Sequence, residues 1–573
     1  MMPEATPFAA ALRAGLLVVL VLAAACSTTA APDGQSKPDQ VANAPRGESE
    51  ALVVAQNALR DGDCRAASEG YFSAARFSDD PDVAMRAAQL AMGCENLTTA
   101  RAATTRWREL DPYSGEAALA AALVAMKRYD LDESREALSF WRESGVAGSQ
   151  DPLGFAGALQ EEADATLVYR LFGEVLLGED PSAEVLLAQA RLSLAAYNMQ
   201  AAMDAAQRAI ELDPGLVEAH TIALRAQSVL GDHEAALAGA RQLPAEVLQG
   251  EDAFLLADLL QGAERTADAE AELERLAASP DTAAGAERRL IATALRDGKL
   301  EVAEQRLQAL LGDRGNTALA ILYFAQLAER RGDIERAIQS YRLLGDSPLA
   351  LSARASAARL LLKEDAKAEA LQLLDDYAEQ NLQEALETGL TRAHLLADAG
   401  DLKGALAGID ALSRQYPDHP DIDYSRATVL ESGGRTRQAV TEFERAIKLR
   451  PEDPQLLNAL GYTLADHKMR LEDAEALVRK ALAISPDNPA ILDSLGWVLY
   501  RRGQQQQALD ILERAWLSTR DAEIGSHFGE VLWKAGEESQ ARYVWQQALN
   551  GAPDHAGLRT TIERLTGEDV DGG

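Results

Sequence analysis

Alanine returns along this chain at a nearly fixed interval. Eleven alanines (Ala202, Ala236, Ala269, Ala303, Ala337, Ala370, Ala405, Ala439, Ala474, Ala508 and Ala541) are separated by 34, 33, 34, 34, 33, 35, 34, 35, 34 and 33 residues. Several open a trio spaced four and then three: Ala439, Phe443, Ala446; Ala474, Val478, Ala481; Ala508, Leu512, Ala515; Ala541, Trp545, Ala548. That spacing puts the trio on one face of an α-helix. Pro451, Pro486 and Pro553 each stand five residues beyond a trio, where they end the helix. So short a period cannot hold a domain but does fit two helices and their turns. The expectation is an array of stacked helical hairpins.

The first helix of each hairpin has its own marker. Leu460-Gly461, Leu495-Gly496 and Phe528-Gly529 are followed three residues later by Leu464, Leu499 and Leu532. Gly-Asp at 231–232, 332–333 and 400–401 supplies the turn between the two helices. Together these features resemble the tetratricopeptide repeat (TPR). The resemblance implies an all-α fold, a TPR α-solenoid superhelix of antiparallel helix pairs, and it covers about residues 50 to 560. Residues 181–565 read as the regular array of about 11 repeats, and 566–573 as a disordered tail. Residues 49–180 read as divergent TPR-like hairpins, with Ala67, Tyr71 and Ala74, then Ala100, Thr104 and Trp107, then Ser134, Leu138 and Trp141. The phase breaks over 145–180, where GVAGSQDPLGFAG intervenes.

Composition agrees with a helical array. Apolar residues make up 47% of the chain but aromatics only 5%, so the core must be built mainly from Ala and Leu, both strong helix formers. Lys and Arg number 56 against 90 Asp and Glu, a net charge of −34. Such a surface repels phosphate backbones, and nucleic acid is not an expected partner.

Arg13 precedes the apolar run 14–25, which is too short to span a bilayer and suits a secretory signal. LAAAC, residues 22–26, resembles the lipobox of bacterial lipoproteins. That resemblance implies removal of residues 1–25, acylation of Cys26 and a lipid anchor. Ser27 stands where an Asp would retain the protein in the inner membrane, which implies the outer membrane, facing the periplasm. Residues 26–48, rich in Ser, Thr, Ala, Pro and Gly, read as a flexible tether. The periplasm is oxidising, and Cys64 and Cys94 fall in turns of adjacent hairpins on one edge of the stack. A disulfide between them is permitted, and two unpaired thiols are the alternative.

Tyr462, Trp497, Tyr500 and Trp533 occupy first-helix positions which, in the TPR family, line the concave groove. Asn458, Asp493 and Arg501 lie near them as hydrogen-bonding groups for an extended chain. This makes the seven residues a candidate protein-binding groove. The alternative is that the rings fill seams between repeats. Some TPR domains clamp a C-terminal carboxylate with Lys and Asn. Here Asn458, Asp493 and Ser526 stand at the corresponding positions with no Lys cluster, so that mode is not expected.

No GxxxxGK[ST], HExxH or GxSxG pattern occurs, and the seven histidines lack ligand spacing. A lone His on such a helix, His527 for example, is expected to be a surface or packing residue. No enzyme, metal, cofactor or small-molecule substrate is expected. Among bacterial TPR lipoproteins the chain looks most like the adaptors of periplasmic carboxyl-terminal processing proteases. That resemblance implies a scaffold that binds the protease and presents cell-wall hydrolases to it. Two other classes stay open: an assembly factor for an envelope machine such as a pilus secretin or exopolysaccharide exporter, and a cell-wall enzyme.

Overall fold

The computed structural model describes residues 45, 47–144, 151–244, 247–310, 317–345, 347–417, 419–553 and 555–568. Cys26, the expected signal segment and nearly all of the expected tether lie outside them. Among the described residues there are 31 α-helices, a few short 3-10 or π turns and no strand. Each helix packs mainly on its neighbours in sequence, as an array of hairpins requires.

The hairpin Pro489–Arg501 and Gln505–Thr519 shows how sequence makes the unit. Asn488 caps the first helix, its side-chain oxygen accepting from the Ala490 and Ile491 amides at 3.0 and 3.3 Å. Pro489 follows at the first helical position, where its missing N–H costs nothing. Gly503 ends the helix in the left-handed region at φ +80° while its amide donates to the Tyr500 carbonyl. The second helix then buries Ala508, Leu512 and Ala515 completely. Leu512 lies against Gly496, and a Cβ there would strike its branched end, so only glycine permits this approach. Gly461 meets Val478, and Gly529 meets Trp545, in the same way one repeat before and one after. The trios that set the period are therefore the sites of closest helix approach.

The chain forms two compact units. The first contains residues up to Ala188 together with Ala378–Leu390 and Leu406–Ser425. Its early hairpins have an alanine core, with Ala75, Ala84, Ala87, Ala88 and Ala103 fully buried and Trp107 filling the remaining gap. The helix Gly115–Lys127 buries Gly115 and every residue from Ala117 to Met126. Where the sequence loses phase, the helices are short: Pro152–Glu162, then Ala165–Leu171 continuing into a π turn over Phe172–Leu176. Phe155 stacks on Trp141 at 4.4 Å and ties this irregular part to the hairpin before it.

The second unit contains Gln189–Tyr377, Thr391–Ala405 and Arg426–Gly573. Hairpins far apart in its sequence meet. The Asp487 amide donates to the Tyr197 carbonyl at 2.9 Å, and the Asp487 carboxylate accepts from the Met199 amide at 3.0 Å. Arg330 donates to the carbonyl oxygens of Asn550, at 2.7 Å, and Gly551.

Candidate protein-binding surface

Three successive first helices of the second unit, Pro454–Asp466, Pro489–Arg501 and Ala522–Ala535, carry all seven groove candidates. The structure joins most of them in one network. Trp497 is 3% exposed, its Nε1 donates to Asp466 Oδ1 at 3.2 Å, and the Arg501 guanidinium lies 4.2 Å from its ring centroid. Arg501 also donates to Asp466 Oδ1 at 3.1 Å. Tyr500 is tilted against Trp497 at 5.4 Å, and its hydroxyl donates to Glu530 at 3.3 Å. The Tyr462 hydroxyl reaches past a whole repeat to donate to Glu523 at 3.1 Å. Trp533 stands apart from these contacts, half-buried and tilted against Trp545 at 5.6 Å.

Tyr462, Trp497 and Tyr500 therefore each bridge two repeats, whereas Trp533 packs within its own hairpin. Trp497 is buried in the seam, whereas Tyr462, Tyr500 and Trp533 remain half-buried, Tyr462 beside the exposed Glu523. Asn458 Oδ1, Asp493 Oδ1 and Arg501 Nε are buried with no hydrogen-bond partner among the described residues.

His527, Asp466, Glu523 and Glu530 belong to this network, yet the sequence did not single them out for it. His527 Nδ1 lies 2.8 Å from Asp493 Oδ2, and its ring stacks on Trp497. Burial alone would push the imidazole pKa down. The charge and hydrogen bond of Asp493, together with Glu523 and Asp466, outweigh that and raise it. Burial first, then the charges of Glu523, Asp466 and Asp493, drives the Tyr462 phenol far above its usual range. Burial and Glu530 likewise raise Tyr500. The signal for these partners was spacing, since Asp493 and His527 are 34 residues apart and Asp466 and Trp497 are 31 apart.

In the first unit Cys64 and Cys94 form a disulfide, with Cα atoms 5.6 Å apart. Cys64 starts the helix Cys64–Phe77, and Cys94 caps the end of Pro81–Gly93, so the bond ties the turns of the first two hairpins together.

Tetratricopeptide-repeat family models match residues 390–436, 424–489 and 469–526. The TPR repeat-containing protein PA4667 of Pseudomonas aeruginosa is 28% identical over 245 residues, a match that spans 43% of this chain and 42% of that protein. A solved tetratricopeptide repeat protein from Parabacteroides merdae is similar over 44% of this chain and 99% of its own, at 13% identity and a TM-score of 0.32. The thermophilic TPR protein TTC0263 of Thermus thermophilus is similar over 31% and 98%, at 20% identity and a TM-score of 0.29. Residues 390–526 match tetratricopeptide-repeat models directly, and the hairpins on either side carry the same small-residue register.

Proposed function

We propose that the chain is a non-enzymatic scaffold, anchored by lipid at Cys26 to the outer membrane and facing the periplasm. It would bind a carboxyl-terminal processing protease and present peptidoglycan hydrolases for proteolysis, as the adaptor it resembles, LbcA, does. The observation that carries this reading is the succession of stacked hairpins, which offers separate surfaces to two macromolecules. Holding enzyme and substrate on one tethered body raises their mutual effective concentration, on the order of millimolar for a short flexible link. The acidic surface further favours partners with basic faces.

The test is affinity capture with the full-length chain from detergent-solubilised envelopes, followed by mass spectrometry. Recovery of a carboxyl-terminal processing protease with cell-wall hydrolases supports the proposal. Recovery of secretin or polysaccharide-export components without protease would replace it with the assembly-factor reading. Recovery of none of these overturns both.

A further inference from the structure

The residues that immediately follow the two cysteines are the ones that reach a distant part of the chain. Arg65 Nη1 donates to the Arg414 carbonyl, and the Glu95 carboxylate sits 3.6 Å from His419 Nε2. Both receiving residues lie in Leu406–Ser425, within the same compact unit as the disulfide. Lys127 holds Glu95 from the other side at 3.2 Å and faces Glu162 at 3.6 Å. Burial would raise the Glu95 pKa, but His419 and Lys127 hold it below the ordinary carboxylate value. Beside these contacts is a cavity of about 320 Å³, lined by the disulfide, Leu382, Leu386, Gln415 and Tyr416.

We propose that the Cys64–Cys94 disulfide is a redox-sensitive clamp that sets the spacing of Arg65 and Glu95 so that both engage the Leu406–Ser425 part of the unit at once. Among the described residues the first hairpin packs on the second and meets Leu406–Ser425 through Arg65. Closing the 30-residue separation fixes its turn against the next one. With the bond open, the first hairpin shifts on the second, and Arg65 and Glu95 no longer meet Arg414 and His419 together.

A dithiol reductant completes the chemistry. Its thiolate attacks one sulfur, the S–S bond breaks, and the other cysteine leaves as a thiolate that takes a proton. The reductant's second thiolate then attacks the mixed disulfide, closes its own disulfide and releases the remaining cysteine. Two electrons pass from the dithiol to the protein, and each cysteine gains one proton. Both cysteines line the cavity, which gives a small thiol its approach.

Hydrogen–deuterium exchange on the full chain, before and after dithiothreitol, tests the clamp, with alkylation counting the thiols. Reduction is expected to raise exchange several-fold in peptides over 382–390 and 406–417, leaving 505–550 unchanged. An Arg65→Ala variant with the disulfide intact should raise exchange in 406–417 alone. Full alkylation of Cys64 and Cys94 with no change in those peptides overturns the proposal. Loss of helicity throughout the unit on reduction also overturns it, since the bond would then be a general staple. A Cys64→Ala/Cys94→Ala variant that folds, by circular dichroism, should match the reduced protein and ignore dithiothreitol.

Discussion

The imidazole of His527 lies on the indole of Trp497, ring centroids 4.2 Å apart and planes 23° apart, while its Nδ1 bonds the Asp493 carboxylate at 2.8 Å. One side chain thus links two repeats by stacking and by charge. The charges facing it come from three helices: Asp493 on Pro489–Arg501, Asp466 on Pro454–Asp466, and Glu523 on its own.

Because its folded pKa lies above the unfolded value of 6.5, protonated His527 stabilises the folded state. That contribution is complete below the unfolded pKa and is lost as pH rises through the folded one. Urea melts from about pH 5.5 to 8.5 should show the wild type losing stability with rising pH more steeply than His527→Gln. Equal slopes would remove His527 as the cause.

Truncating Trp497 removes a buried ring, its hydrogen bond to Asp466 and its cation–π contact with Arg501. Trp497→Ala is expected to cost about 3–5 kcal/mol. Trp497→Phe, which keeps much of the volume, should cost clearly less by denaturant midpoint. Tyr462→Phe loses only the hydroxyl bond to Glu523, about 1 kcal/mol.

Gly529 faces the indole nitrogen of Trp545, with no room between them for a methyl group. Gly529→Ala should lower stability by about 1–3 kcal/mol through overpacking. A change in tryptophan fluorescence at low denaturant should accompany it. Gly47 faces open space, and Gly47→Ala should be close to neutral in the same assay.

Arg450 and Asp453 form a buried ion pair at 2.8 Å, and Asp453 also caps the helix Pro454–Asp466 by accepting from Gln455 and Leu456. Asp453→Ala removes a buried ion-pair partner of Arg450 together with the helix cap and should cost about 3–5 kcal/mol. Asp453→Asn keeps the capping oxygen and should cost less. Thermal melts of the two variants would check the order.

The anchor is tested by fractionation. Cys26→Ala should move the chain from the membrane pellet to the soluble fraction, since stable attachment needs more than one acyl chain. Retention in the pellet would remove the lipid anchor from the proposal.

The hairpins were legible because close helix approach demands small residues, and that demand repeats. Ala474, Val478 and Ala481 had to be buried once their spacing was seen, and all three are. The aromatic positions were legible for the same reason, but their partners were hidden among 90 carboxylates, of which Asp466, Glu523 and Glu530 matter here. His527 looked like any isolated histidine because stacking on Trp497 leaves no local motif. Least visible was the packing of Leu406–Ser425 in one unit with the first hairpins. A contact such as Glu95 to His419 has no period and follows only from where the turns arrive.

That contact also limits what can happen to the gene. Repeat arrays commonly lengthen or shorten by whole copies, because each copy answers only to its neighbours. Here the chain leaves the first unit after Ala188 and rejoins it at Ala378, in register for Arg65 to find Arg414. Duplicating or deleting one hairpin in between would bring a different turn to that place, so the number of copies in this stretch is itself an inherited dimension of the molecule.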